Sequence, residues 1–199
     1  NEASAGKHFE EFKDINSLPE DSGRRVITTG GHFGYLKIAE GCDKHCTYCI
    51  IPSLRGSFRS VPEERLLAQA EYMASQGVKE LILVAQETTV YGTDLYGKKT
   101  LHLLLKKLCQ IKGIRWIRIL YCYPEEIYDE LIQVMKEEKK ICHYLDLPIQ
   151  HCSDRILKRM GRRTSKAQLV EIITKLRKEI PDIVLRTSLI TGFPGETQE

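Results

Sequence analysis

The sequence predicts an α/β fold in which parallel strands carry outer helices and the sheet curls toward a barrel. Short apolar runs alternate with segments of helical period from Gly34 to the end of the 199-residue chain. The gaps between runs are long enough for helical crossovers, and such crossovers are right-handed, which makes the strands parallel. About four and a half strand–helix units fit, short of the eight of a closed barrel.

Taken in order, residues 1 to 33 are polar, with scattered Gly, Ser and Pro and no sustained period, and read as a linker leading into the fold. Tyr35 to Ala39 is the first strand candidate and runs into a cysteine-rich loop. Ser60 and Glu63 have the spacing of a capping box, with Pro62 in the first turn; Leu66, Leu67, Ala70, Met73 and Ala74 then share one helical face until Gly77. "ELILVA" (80 to 85) is a continuous apolar run, expected of a strand covered on both faces. Leu101, Leu104, Leu105 and Leu108 mark the next helix, and "IRWIRIL" (114 to 120) the third strand. A helix through Ile127, Leu131 and Met135 leads to "HYLDL" (143 to 147). A short basic helix from Ser153 to Met160 precedes a longer one through Leu169, Ile172, Ile173 and Leu176, capped by Ser165 and Gln168; "IVLRTSLI" (183 to 190) is the fifth strand.

Composition excludes several classes. At 42% apolar the chain can bury a core, and no uncharged apolar run approaches the roughly 20 residues of a membrane helix. A net charge of +3 permits an RNA or ribosomal partner without requiring one. Seven cysteines, three of them crowded together, are a poor disulfide framework and fit reduced thiols in the cytosol, with a metal site.

Ligands of parallel α/β folds sit at the carboxyl ends of the strands. The unusual residues fall there: the three-cysteine loop, then "AQETT", "YCYPEE", "PIQHCSD" and "TGFPGET". In "EGCDKHCTYCIIP" (40 to 52), Cys42, Cys46 and Cys49 are spaced C-x3-C-x2-C with Tyr48 before the last. Cysteine thiolates hold a 4Fe-4S cube, and three of them leave one iron open to a small molecule. The competing reading is a structural zinc ion completed by His45 or a distant cysteine, but zinc sites come as paired hooks and no second hook follows.

The stretches "YLKIAEGCDKHCTYCIIPSLRGSFRS", "LILVAQETTVYGTDLYG" and "LDLPIQHCSDRILKRMGRR" resemble the methylthiotransferase branch of the radical S-adenosylmethionine (SAM) enzymes, over about residues 24 to 199. The resemblance implies a partial (β/α)6 radical SAM barrel, truncated here after its fifth strand. It implies a 4Fe-4S cluster on Cys42, Cys46 and Cys49 whose open iron takes the methionine end of SAM, and an electron that cleaves the sulfonium to a 5'-deoxyadenosyl radical. Tyr48 is then the aromatic beside the adenine. Ala85, Gln86 and Glu87 occupy the place of the Gly-Gly-Glu motif that holds the SAM amino end. Ser188, Ile190 and Gly192, with Gly195, occupy the adenine strand, where Ser188 departs from the family's first glycine.

The implied activity is methylthiolation of an aspartate in a small-subunit ribosomal protein, with a reducing electron donor and a sulfur donor as further partners and no membrane. The sister class that modifies a tRNA adenosine and a non-catalytic cluster-binding piece are the alternatives; "AQETT" favours the protein-directed class. The family's second-cluster domain and its β domain lie outside these residues, and the chain reads as a piece of a longer protein. Cys109 and Cys142 read as small buried hydrophobes, whereas Cys122 and Cys152 fall at the rim. Arg155, Lys158, Arg159, Arg162, Arg163 and Lys166 read as a solvated face or an RNA contact, Arg55 and Arg59 as surface or carboxylate partners, and His151 as a rim or structural histidine.

Overall fold

The computed structural model describes residues 14–18 and 26–197. Most of the expected linker lies outside these residues. Five parallel strands, β1 (Phe33–Lys37), β4 (Glu80–Val84), β5 (Trp116–Ile119), β6 (Ile141–Asp146) and β7 (Val184–Arg186), form one sheet in the order β1-β4-β5-β6-β7. All five stand where the apolar runs placed them. The last is shorter than expected, and Leu189 beyond it makes only an isolated parallel bridge to Gln150.

Between the strands lie α2 (Glu63–Ser75), α4 (Leu101–Gln110), α5 (Asp129–Glu137), α6 (Asp154–Arg159) and α7 (Lys166–Glu179). Register aligns Leu36, Leu83, Ile119 and Leu145 across the sheet, and all four are at most 1% exposed. This row packs against the helices: a side chain added at Gly34 would meet Met73 of α2 at 2.3 Å. The opposite face carries Tyr35, Ile82 and Arg118 in one row, with Tyr144 and Val184 alongside. There Arg118 stacks over Tyr144, 4.9 Å from its ring centre, and pairs with Glu80 at 2.7 Å. β4 is therefore covered differently on its two faces, Leu81 and Leu83 fully buried and Ile82 and Val84 half-buried, rather than equally covered as its unbroken apolar run implied.

Other departures are local. A two-stranded antiparallel ribbon, β2 (Ala39–Glu40) with β3 (Arg59–Ser60), and two short helices, α1 (Ile51–Arg55) and α3 (Thr93–Tyr96), carry too few residues to show a period. The Ser60–Glu63 capping box does not form: Pro62 is the N-cap of α2, and Ser60 turns instead to Asp94, its N–H donating at 2.8 Å and its hydroxyl at 2.6 Å. The Ser165–Gln168 box on α7 forms in both directions. Ile127 lies before α5, after a 3-10 turn at Pro124–Glu126.

Candidate functional site

The cysteine loop is held at both ends. The β2–β3 ribbon joins the chain entering it to the chain leaving it, the Cys42 N–H donates to Gly56 O at 3.2 Å, and the Phe58 N–H to Asp43 Oδ1 at 3.0 Å. Gly41 makes the closure possible: its φ is 79°, and a Cβ there would lie 2.0 Å from Ser57 O. Between Cys46 and Cys49 the loop is clamped from outside, the Thr47 N–H donating to Met160 O and its hydroxyl to Arg159 O, both at 3.0 Å. Cys42 and Cys46 are buried and Cys49 is half-buried; all seven cysteines are free thiols. Burial pushes the Cys42 thiol up from its ordinary value.

Cys46 sits in an aromatic and cationic surround. Tyr123 Oη lies 3.5 Å from its sulfur, and the Arg162 guanidinium stacks 4.2 Å from the centre of the Tyr123 ring. Burial, and then the neighbouring thiol, push the phenols of both Tyr48 and Tyr123 far above their usual range, so both stay neutral hydrogen-bond donors. The reading of Arg162 as part of a solvated basic face is corrected here. Arg155, Lys158, Arg159, Arg163 and Lys166 are exposed, but the Arg162 side chain is 0% exposed. Gly161, with φ of 72°, turns the chain at the end of α6, and Arg162 then points inward to Glu125 at 3.3 Å and Pro148 O at 3.2 Å.

Ala85, Gln86 and Glu87 leave β4 beside β1 and share this rim. Ala85 and Gln86 line a cavity of about 360 Å³ with Lys37, Ile51, Val84 and Tyr121, reaching the cysteine loop through Ile51. Gln86 donates to the buried Glu40 at 3.0 Å. Glu87 lines a second cavity, about 290 Å³, with Cys42, Lys44, Phe58, Lys99 and Glu126. Its Oε1 accepts from the Thr89 N–H at 2.9 Å, while burial pushes its pKa up to about 7. Glu126 is held below the ordinary carboxylate range against the effect of its burial, because Lys44 and Lys99 both pair with it.

The expected adenine strand is placed by backbone pairing: the Gln150 N–H donates to Ser188 O at 3.0 Å, and the Ile190 N–H to Gln150 O at 2.8 Å. Gly192 follows in the exposed turn. Tyr48 reaches this segment through Phe193, edge to face with ring centres 6.5 Å apart. Among the described residues three non-glycine positions adopt left-handed φ, His45 at 52°, Tyr121 at 58° and Gln150 at 69°, one in the cysteine loop and the others after β5 and β6. Tyr121 is pinned by Thr88, whose N–H donates to its carbonyl at 3.1 Å.

Sequence reasoning put Arg162 on the wrong face and missed Tyr123, Tyr121, Lys44, Glu126 and Phe193; two tyrosines in a rim loop were the available signal for the first two of these. Other candidates make contacts within the chain. His151 joins Glu196 at 3.2 Å and accepts the Ser153 N–H at 2.9 Å. Arg59 donates to backbone carbonyls of Ser17, Arg55 and Ser57. Cys109 is buried as expected, Cys142 only partly, and Cys122 is fully enclosed against Thr88 rather than open at the rim; Cys152 is exposed.

Among the described residues no three His, Cys, Asp or Glu side chains converge closely enough for one ion. A cube needs no such convergence, since each thiolate takes a different iron. Of five buried side-chain polar atoms without a partner among the described residues, four lie at this rim: Gln86 Oε1, Glu87 Oε2, and Arg162 Nε and Nη1. Buried polar atoms are normally paired, so the residues present fit a polar group bound beside the three thiols.

The chain is 71% identical over 194 residues to the ribosomal protein uS12 methylthiotransferase RimO of Lachnoclostridium phytofermentans, covering 98% of this chain and 44% of that protein. It is 59% identical over 179 residues to the protein of the same name from Clostridium botulinum, covering 90% of this chain and 40% of that one. The chain thus spans less than half the length of these relatives. Among solved structures, the radical S-adenosylmethionine methyltransferase TsrM from Kitasatospora setae, bound to tryptophan and a SAM analogue, superposes with a TM-score of 0.68 at 16% identity, over 87% of this chain and 35% of that one. The same enzyme with cobalamin and a [4Fe-4S] cluster gives 0.67 at 16% identity, over 87% of this chain and 36% of that one. The family model of the radical SAM superfamily matches residues 36–199, and with that match over a parallel sheet whose first rim loop carries three free cysteines, the chain belongs to the radical SAM superfamily.

Proposed function

We propose that residues 34–199 are the incomplete radical SAM core of a methylthiotransferase that modifies an aspartate of a small-subunit ribosomal protein, with residues 1–33 leading into it. The observation that carries this reading is the gathering of unpartnered buried polar atoms around three free thiols at one rim. The names of the relatives supply the substrate, uS12. Cys42, Cys46 and Cys49 would hold a 4Fe-4S cluster, with Ala85, Gln86 and Glu87 to receive the methionine end of SAM and Tyr48, Ser188, Ile190 and Gly192 its adenosine end. When bound, the pair supplies a carbon-centred radical by one-electron cleavage of SAM.

The chain's own residues hold that pair in place. The Gly41 closure and the Thr47 clamp fix the loop that carries the thiols. Neutral Tyr123 lies 3.5 Å from the Cys46 sulfur, where its hydroxyl would donate to a cluster-bound thiolate. Gln86 is itself braced by Glu40, which leaves its carbonyl oxygen turned to a ligand. The reaction further requires an electron donor, a sulfur donor and a cytoplasmic ribosomal protein as partners. Among the described residues no helix is long and apolar enough to cross a membrane.

The test uses the whole protein that contains this segment, reconstituted anaerobically with iron and sulfide. Wild type is expected to methylthiolate uS12 and leave tRNA unmodified, as read by mass spectrometry of both. Cys46→Ala is expected to lose product and the cluster that responds to SAM. Product on tRNA alone would transfer the chain to the nucleoside-modifying class, and an intact SAM-responsive cluster in Cys46→Ala would remove the ligand assignment.

A further inference from the structure

Arg162 is a fully enclosed cation with two of its three nitrogens unpartnered. A buried charge is costly, and one carboxylate at 3.3 Å with one carbonyl at 3.2 Å, both on a single nitrogen, do not satisfy a five-donor guanidinium. Its position is over-determined: α6 ends at Arg159, Gly161 reverses the chain, and the carbonyls of the same turn accept from Thr47, between two of the cysteines. The guanidinium stacks on Tyr123, whose hydroxyl touches Cys46. One rigid turn therefore sets both the path of the cysteine loop and the place of a positive charge behind it.

From this geometry we infer that Arg162 is a positioning residue whose charge sets the reduction potential of the cluster on Cys42, Cys46 and Cys49. The inference rests on the cluster assignment proposed above. Reduction adds one electron to a group already carrying thiolate charge, and no bond is made or broken at Arg162. A nearby cation favours the reduced, more negative state, and iron–sulfur potentials follow net charge, hydrogen bonding to sulfur and solvent exposure. Arg162 supplies charge, and through Tyr123 it steadies a hydrogen bond to the Cys46 sulfur. Glu125 is the opposing charge, so the pair sets the potential by difference.

The experiment is a dithionite titration of the reconstituted whole protein, following the electron paramagnetic resonance signal that shifts on adding SAM. At the wild-type midpoint, Arg162→Gln is expected to raise the oxidised-to-reduced ratio about tenfold, a downward shift of about 59 mV for one electron. Glu125→Gln is expected to move the midpoint the other way, and Arg162→Lys to keep more than half of the wild-type effect. Opposite signs from the two partners are the readout that a merely structural role would not produce. If Arg162→Gln assembles no cluster, Glu125→Gln decides, an upward shift supporting the inference and an unchanged or lowered midpoint overturning it. A full cluster with an unchanged midpoint in Arg162→Gln overturns this inference alone. A wild-type protein without a SAM-responsive cluster overturns the cluster assignment and this inference with it.

Discussion

The Glu87 carboxyl is closed off from solvent, one oxygen bonded to Thr89 and the other without a partner beside the Cys42 cavity. Its pKa rises from 4.5 to about 7, chiefly through burial. The folded state therefore binds a proton that the unfolded chain releases between those values. Stability from this group is fully present below about pH 4.5 and is lost as the pH rises through 7. In cluster-free protein the loss approaches roughly 3 kcal/mol at pH 8, and Glu87→Gln is expected to flatten that part of the profile. Urea midpoints at pH 5 and pH 8 measure it; an equal fall in the variant would assign the pH dependence to another group. At this scale the sequence was legible where chemistry repeats at short range, as in the three cysteines. It misplaced Arg162 on a solvated basic face, because the inward turn depends on Gly161 and on a contact with Thr47, and nothing local distinguishes it from exposed Arg163.

Two serines with the same apparent sequence signal separate the elements. Ser165 caps α7 at the surface, and Ser165→Ala is expected to cost about 1 kcal/mol. Ser60 is 1% exposed, bonded to Asp94 and receiving the Gly92 N–H at 2.9 Å, so it ties the ribbon to α3 rather than capping α2. Ser60→Ala is expected to cost about 1–3 kcal/mol by leaving buried partners unmet. Denaturant unfolding of Ser60→Ala and Asp94→Ala, alone and together, should show strong non-additivity, whereas pairing Ser60→Ala with Glu63→Ala should be additive. Additivity in the first pair would return Ser60 to the capping role. Long elements were readable because each repeats its period several times, as the leucines of α4 do. The ribbon, α1 and α3 are fixed by contacts between distant residues and leave no period to read.

Across the whole molecule, the helix-facing side of the sheet supplies the core and the other side is left partly open. Ile117, fully buried on the packed face, is expected to cost about 2–5 kcal/mol when cut to Ala. Val184, 60% exposed, is expected to cost under about 0.5 kcal/mol when changed to Ser. Comparable losses in an unfolding assay would mean that the open face is covered in solution. The rim adds a different asymmetry. His45, Tyr121 and Gln150 hold backbone conformations that cost about 1 kcal/mol or more in a residue bearing a Cβ. A laboratory selection for heat resistance alone would find these positions early, because glycine there removes the penalty without disturbing the core. The survivors would be sturdier proteins with slacker rims, and their melting temperatures would climb while their hold on SAM declined.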